Sequence, residues 1–166
     1  MTDYVRHKGA AAFGTRLRRL SERLDRQVQA LYREHDSAFQ PRWFAVVGAL
    51  REKGVLSVGE LAGLLGITHA AVSQLRGELI KAGLVQGKSD PADGRRQMLE
   101  LSAAGKRTVS QLQPLWAAIA AATEALCADV APNLLRDLGR IEDAVETKSI
   151  AIRTAEILAA SRAAKD

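Results

Sequence analysis

The pattern that most constrains this fold is a pair of short helices only a few residues apart. The first begins at a capping box, in which Ser57 and Glu60 each satisfy a backbone N–H of the first turn, and it ends at Gly66. The second begins at Thr68, a good N-cap residue, and is predicted to run to about Ala82. Two helices joined by so short a turn are typical of a helix-turn-helix.

A hairpin with a long turn follows this pair. A strand can start at Leu84, residues 90–94 concentrate the Asp, Pro and Gly of a turn, and Gln97–Leu101 alternates well enough for the returning strand. Residues 57–101 therefore predict a winged helix-turn-helix core. The fold class expected for the whole chain is mostly α with a small β-hairpin wing.

Two helices are predicted before this core. The first runs from Ala10 to about His35, and its apolar side chains recur every three or four residues along one stripe: Phe13, Leu17, Leu20, Leu24, Val28 and Leu31. Pro41 suits the first turn of the second helix, which ends at Gly54. Residues 1–56 are interpreted as a scaffold and dimerisation region.

Two helices are also predicted after the core. A long one runs from Ala103 to about Leu126, with a kink or local break expected at Pro114, and Pro132 opens a single last helix. One side of that last helix carries Leu134, Leu138, Ile141, Val145 and Ile152. Such helices are too apolar for a domain of this size to cover alone. We therefore expect residues 102–166 to form a homodimer interface together with the N-terminal helices.

Composition and charge exclude several classes of protein. The chain has 166 residues, a net charge of +5 and one cysteine, so it cannot form a disulfide framework. No apolar run approaches the roughly 18 residues of a membrane span, and no secretory signal is evident, which favours a cytoplasmic protein without a membrane partner. The basic excess lies in residues 1–107, whereas residues 108–166 are slightly acidic. This asymmetry indicates a polyanionic partner for one part and a protein partner for the other.

Residues that could perform catalysis or hold a metal are scarce. The three histidines are dispersed, and the sequence contains no HExxH, no CxxC, no phosphate-binding loop and no pair of catalytic carboxylates. We therefore expect no enzyme activity, no metal and no cofactor. Cys127 is interpreted as a buried or interface thiol, because no neighbouring residue would activate it.

The second helix of the pair has two contrasting sides. At about 100° per residue, its apolar side chains share one side: Ala71, Val72, Leu75 and Leu79. The opposite side is small, polar and free of carboxylates, and Arg76 flanks it: Ala70, Ser73, Gln74, Gly77 and Lys81. A helix that enters the major groove needs such a face, and a glutamine amide can pair with N6 and N7 of adenine. We expect Ser73, Gln74 and Arg76 to meet the major groove, the alternative being an ordinary solvated face.

Six further side chains, all polar or basic, are candidates for contacts to DNA: Thr68, His69, Lys81, Lys88, Arg95 and Arg96. The first two lie at a helix N-terminus, where backbone N–H groups favour a phosphate. The two arginines lie beside the tight turn of the hairpin, from which they can reach a narrow minor groove. Without DNA binding, the histidine would be incidental and the arginines would serve solubility.

Residues 57–107 resemble the DNA-binding core of the MarR (multiple antibiotic resistance) type of transcriptional regulator. The matching motifs are LSVGELAGLLGITHAAVSQLRGELIKAGLV and DPADGRRQMLELSAAGKR. The wing of that family usually reads Asp-Pro-x-Asp-Arg-Arg, and Asp93-Gly94-Arg95 matches its Asp-x-Arg element, with Gly94 in place of the more frequent Arg. Gln74 stands where Arg is common. The upstream segments FQPRWFAVVGALREKG and LRRLSERLDRQVQALYREH are similar to a subgroup in which such a domain is sometimes fused to an acetyltransferase domain.

The resemblance implies an obligate homodimer with intertwined N- and C-terminal helices, which binds a pseudo-palindromic operator in double-stranded DNA, as a repressor released by a small-molecule effector. It places Trp43 and Trp116 around the family's ligand crevice, although buried aromatic residues more often serve packing. Two other functions stay open: a winged-helix interaction or dimerisation module that does not read DNA, and an enzyme related to the acetyltransferases. The carboxylate-free face of residues 70–81 argues against the first, and the lack of a catalytic motif argues against the second.

Overall fold

The computed structural model describes residues 3–35, 37–89 and 97–164. The chain divides into two compact units, the first ending at Pro114 and the second beginning at Leu115. The first unit contains the helices α1 (Tyr4–His7), α2 (Phe13–Glu34), α3 (Phe44–Lys53), α4 (Val58–Leu65) and α5 (His69–Lys81), with short 3-10 helices at Gly9–Ala12 and Pro41–Trp43. It also contains the strands β1 (Leu56–Ser57), β2 (Val85–Ser89) and β3 (Gln97–Leu101) and the first part of α6 (Ala103–Val130).

The predicted capping signals of the helix-turn-helix are present. Glu60 N donates to Ser57 Oγ at 3.1 Å, and Ser57 N donates to Glu60 Oε2 at 2.7 Å, so the capping box of α4 is complete. Gly66 adopts a left-handed φ of 63°, which ends α4 at little steric cost. The Thr68 side chain then accepts from Ala71 N at 3.1 Å and starts α5. These local contacts set the two helices at the positions that the sequence predicts.

The strands form a three-stranded antiparallel sheet in the order β1-β3-β2. In the hairpin, Val85 pairs with Leu101 and Gln86 pairs with Glu100. Leu99 and Leu101 are buried, and this alternation turns one face of β3 to the core, as predicted. The two-residue strand β1 was not predicted from the sequence, and its Leu56 pairs with Leu99. The fold is thus mostly helical with a small β-hairpin wing, which confirms the expected fold class.

An aromatic cluster joins the end of α2 to the start of α3. The rings of Tyr32 and Phe39 meet edge to face at 5.2 Å between centroids, and those of Phe39 and Trp43 do so at 5.7 Å. All three side chains are buried. Edge-to-face pairs add about 0.5–1.5 kcal/mol to the burial of their surface, so this cluster fixes the position of Trp43.

The second unit contains the rest of α6 and the helices α7 (Leu134–Thr147) and α8 (Ile150–Ala163). The prediction of one last helix was wrong, because the chain turns extended at Lys148 and a new helix starts where Ser149 Oγ accepts from Ile152 N at 3.3 Å. The local break expected at Pro114 is absent, since α6 is continuous through this residue. No residue of α7 or α8 is buried, although both helices carry many apolar side chains.

Within the described ranges, no single helix has the length and apolar character needed to cross a membrane. One bent pair, α6 with α7, meets those two criteria when its helices are taken together.

Candidate nucleic-acid interface

Helix α5 packs one face into the core and exposes the opposite face. Val72 and Leu79 are fully buried, and Ala71 and Leu75 are half-buried. Every residue of the predicted outward face is exposed: Ala70, Ser73, Gln74, Gly77 and Lys81. The core therefore fixes the rotation of α5 about its axis, and a row of small and polar side chains is left open to a partner.

Gln74 contacts a carboxylate on its own helix. Its Nε2 lies 3.4 Å from Glu78 Oε1. The other oxygen of that carboxylate, Oε2, accepts from Trp43 Nε1 at 2.9 Å and from Arg42 Nε at 3.1 Å. The indole hydrogen bond, with the Arg42 charge and the Gln74 contact, lowers the pKa of Glu78. Glu78 is therefore an ionised, half-buried acceptor beside the exposed face, and Arg42 balances its charge.

Thr68 and His69 lie at the N-terminus of α5, as expected, and both are exposed. The imidazole of His69 lies over Gly59 in the first turn of α4, where a β-carbon on Gly59 would stand 3.3 Å from His69 Cε1. Gly59 leaves room for this ring. The histidine thus packs across the two helices of the helix-turn-helix and keeps an exposed edge.

The remaining basic candidates on α5 differ in exposure. Lys81 is exposed at the end of the helix, whereas Arg76 is half-buried. The Nε of Arg76 is buried, and it has no hydrogen-bond acceptor in the part of the chain that the structure describes. Arg76 therefore lies at the edge of the exposed face, which agrees with the flanking position expected from the sequence.

The wing sheet carries its own polar cluster. Lys88 Nζ lies 3.5 Å from Glu100 Oε2, and Gln86 Nε2 donates to Glu100 Oε1 at 2.7 Å. The Gln86 hydrogen bond and the nearby Lys88 charge lower the pKa of Glu100. Lys88 is thus a partly neutralised candidate for a phosphate contact. The other wing candidates, Arg95 and Arg96, lie outside the described residues.

Trp43 lines an open cavity of about 590 Å³ in the first unit. The cavity wall is formed by His35, Ser37, Ala38, Phe39, Trp43, Ala82, Leu84, Thr108, Gln111 and Leu112. It combines apolar surface with a few polar groups, which is the usual character of a small-molecule site. Trp116, the other aromatic candidate, is half-buried and belongs to the second unit.

Sequence reasoning did not single out Glu78 as a neighbour of Gln74, or Arg42 as a partner of Glu78. The spacing of four residues between Gln74 and Glu78 is a signal for a side-chain pair on one helix face. No comparable signal exists for Trp43 and Arg42, because both come from a segment far from α5 in sequence. Among the described residues, no group of three or more His, Cys, Asp or Glu is placed to hold a metal ion.

Comparison with known proteins agrees with the family resemblance seen in the sequence. A model of the MarR family matches residues 39–96, the range that holds the helix-turn-helix and strand β2. A probable transcriptional regulator from Pseudomonas aeruginosa is 26% identical, with a TM-score of 0.58 over 80% of this chain and 96% of that one. Over residues 39–96, this chain is similar to the MarR family of winged-helix regulators.

Two further solved structures resemble this chain. BpsR of Bordetella bronchiseptica, whose DNA binding is regulated by 6-hydroxynicotinic acid, is 26% identical, with a TM-score of 0.61 over 76% of this chain and 91% of that one. The PcaV transcriptional regulator from Streptomyces coelicolor, solved with its natural ligand, is 23% identical, with a TM-score of 0.58 over 78% of this chain and 91% of that one. The second likeness shows the fold alone. None of the curated proteins matches this sequence.

Proposed function

We propose that this transcriptional regulator is a homodimer that reads a pseudo-palindromic operator through α5. The observation that carries the proposal is the exposed face of α5, whose largest uncharged side chain is Gln74 and whose rotation is fixed by buried Val72 and Leu79. An α-helix fits the major groove of B-DNA, and bulky or acidic side chains on its outer face would prevent close approach. Ser73 and Gln74 then lie where base edges would be read.

Contacts to the DNA backbone are assigned to the residues around this face. The exposed N-terminus of α5 offers backbone N–H groups beside Thr68 and His69, which suits a phosphate. Lys81 at the end of α5 and Lys88 on β2 add positive charge, and we assign Arg95 and Arg96 to the minor groove from their place in the sequence just before β3. Such contacts orient the protein on the duplex, whereas base contacts select the sequence.

A second copy of the chain is the partner that best accounts for the exposed apolar faces. In the first unit, α2 exposes an apolar stripe along one side: Phe13, Leu17, Leu20 and Leu24. In the second unit, α7 exposes another: Leu134, Leu138, Ile141 and Val145. Exposed apolar surface of this extent marks an interface, and a symmetric dimer would also match the two half-sites of a palindrome.

Release by a small ligand is assigned to the cavity beside Trp43. Polar groups of His35, Ser37, Thr108 and Gln111 line it next to apolar surface, so it suits a small organic molecule with a few polar atoms. The regulation of BpsR DNA binding by 6-hydroxynicotinic acid supports control by a small ligand, and the cavity is our own assignment. We propose that the bound dimer represses transcription by occupying its operator and that the ligand relieves this repression.

Selection of bound sequences from a random pool of duplexes tests the proposal, together with sedimentation at micromolar protein. We expect a dimer mass and an enriched inverted repeat whose half-site centres lie about 10 base pairs apart. A helical monomer would contradict the assembly. A dimer that enriches no sequence would instead support an interaction module that does not read DNA.

A further inference from the structure

We propose that Glu78 is a positioning residue for DNA recognition, which orients the amide of Gln74 without touching a base. Trp43 and Arg42 in turn hold Glu78 in place. This inference rests on the proposed reading of bases by Gln74. It adds Glu78, Trp43 and Arg42 as residues that determine which base the Gln74 amide prefers.

The two oxygens of Glu78 contact three neighbouring side chains. Oε1 faces α5, where Gln74 Nε2 lies 3.4 Å away. Oε2 faces the start of α3, where it accepts from Trp43 Nε1 at 2.9 Å and from Arg42 Nε at 3.1 Å. One carboxylate therefore connects the buried indole to the exposed amide.

The position of this carboxylate is fixed by the core. Trp43 is only 6% exposed and packs edge to face on Phe39, so its N–H group points in one direction. The side chain of Glu78 is 24% exposed, whereas that of Arg42 is 54% exposed. The anchor of Glu78 is thus the buried indole, and the arginine neutralises its charge from the solvent side.

An ionised carboxylate only accepts hydrogen bonds, and this property decides which way the Gln74 amide faces. The hydrogen bond from Trp43 and the charge of Arg42 lower the pKa of Glu78, which keeps the group ionised at neutral pH. The Nε2 group of Gln74 must then face Glu78, and Oε1 must face away. The second N–H of Gln74 Nε2 then points to the same side as the amide oxygen of Gln74, away from Glu78.

The remaining donor and acceptor match one base edge. A glutamine pairs with adenine by accepting from N6 and donating to N7, which needs one N–H next to the amide oxygen. A free amide can rotate by half a turn and exchange its donor and acceptor. Glu78 can accept a hydrogen bond from the Gln74 amide in only one of its two orientations. It therefore stabilises the orientation in which the amide oxygen and the neighbouring N–H both face outward.

Three substitutions test the inference in the full-length protein. Glu78→Gln keeps the shape of the side chain but removes the obligatory acceptor, and Trp43→Phe removes the indole donor but keeps an aromatic ring. Glu100→Gln is the matched control, because Glu100 is also bonded to a glutamine, Gln86, and also carries one charge, but lies on the wing sheet. For each variant, affinity for the selected operator and for random duplex is measured at the same salt concentration.

We expect Glu78→Gln to lower the ratio of operator to random-duplex affinity by about fivefold for each half-site, the value of one ordinary hydrogen bond in each protomer. The enrichment of adenine at one position of each half-site should fall with it. Both charge-removing variants should raise affinity for random duplex, and Glu100→Gln should keep the wild-type ratio. In a Gln74→Ala background, Glu78→Gln should have no further effect on the ratio.

Contrary results separate this inference from the proposed function. If the wild type selects an operator but Glu78→Gln keeps both the ratio and the base preference, the role of Glu78 is wrong while the proposed function stands. The same follows if Glu100→Gln changes the ratio equally. If the wild type selects no sequence, the proposed function fails and the inference fails with it.

Trp43→Phe tests the anchor of Glu78. This variant should shift the base preference in the same direction as Glu78→Gln. An unchanged preference would show that Trp43 does not position Glu78.

Discussion

Gly105 of α6 lies directly against the backbone of Leu84. A β-carbon at Gly105 would stand 2.0 Å from the Leu84 carbonyl oxygen and 2.9 Å from the carbonyl carbon. The same oxygen accepts from Ser102 N at 3.0 Å, and Ser102 Oγ donates to the carbonyl of Gly83 at 2.6 Å. These contacts fix the position of the start of α6 against the turn between α5 and β2.

Replacing this glycine should destabilise the protein. Gly105→Ala places a methyl group against backbone that cannot rotate away, so we expect a loss of about 1–3 kcal/mol in the free energy of unfolding, or more. Gly48→Ala is the matched control, since nothing lies within 4 Å of a β-carbon there and alanine favours a helix by up to about 1 kcal/mol. Urea unfolding at one fixed protein concentration measures both variants. Equal stability of Gly105→Ala and the wild type would show that the backbone contact is looser than the structure indicates.

The N-terminus should lose stability in acid. Asp3 accepts from Val5 N and Arg6 N at the start of α1, and it binds Arg19 through two hydrogen bonds of 3.0 and 2.9 Å. Chiefly because of Arg19, the pKa of Asp3 is lowered from 3.8 to about 2. Folding therefore stabilises the ionised form of Asp3 relative to the protonated form. The contribution of Asp3 to stability is complete above the unfolded pKa and is lost as the pH falls toward the folded one.

An NMR titration of the Asp3 carboxyl carbon checks this directly. Arg19→Gln should return the midpoint toward 3.8, because it removes the main donor. The difference in stability between the wild type and Asp3→Asn should shrink as the pH falls from 4 toward 2. A midpoint near 3.8 in the unaltered protein would contradict the ion pair with Arg19.

The wing arginine should contribute to binding of every duplex. Arg95→Ala removes one positive charge that we expect to face the negative potential of the DNA, so affinity should fall for operator and random duplex alike. The slope of log affinity against log salt should flatten by about one unit for each phosphate that is no longer neutralised. Lys88→Ala should have the smaller effect, because Glu100 already neutralises part of the Lys88 charge. Unchanged affinity of a dimeric Arg95→Ala variant at matched salt would remove Arg95 from the interface.

The parts of the fold that were predicted from sequence depend on local rules. The capping box of Ser57 and Glu60, the caps at Gly66 and Thr68, and the buried side of α5 each follow from residues within a few positions of one another. In such cases the same short segment sets both the pattern and the structure. For this reason the helix-turn-helix and its exposed face were predicted correctly.

The parts that were missed depend on distant or competing signals. Strand β1 is two residues long and exists only because Leu56 pairs with Leu99 on β3. The break before α8 competes with a continuous apolar pattern, and the cap at Ser149 prevails there because Lys148 turns extended. The contact of Trp43 with Glu78 joins residues 35 positions apart. Periodicity within one helix cannot show such a pair.

The direct test of the central claim is the pair of affinities of Gln74→Ala for the selected operator and for random duplex. A good bidentate base contact contributes about 1–3 kcal/mol of discrimination, whereas a phosphate contact contributes little to the choice of sequence. We predict that the variant binds the operator about tenfold or more weakly, with random duplex nearly unchanged, because the substitution removes the same base pairing from each half-site. If both affinities fall together, or if neither changes, Gln74 does not read a base and the assignment of α5 as the reading helix is contradicted.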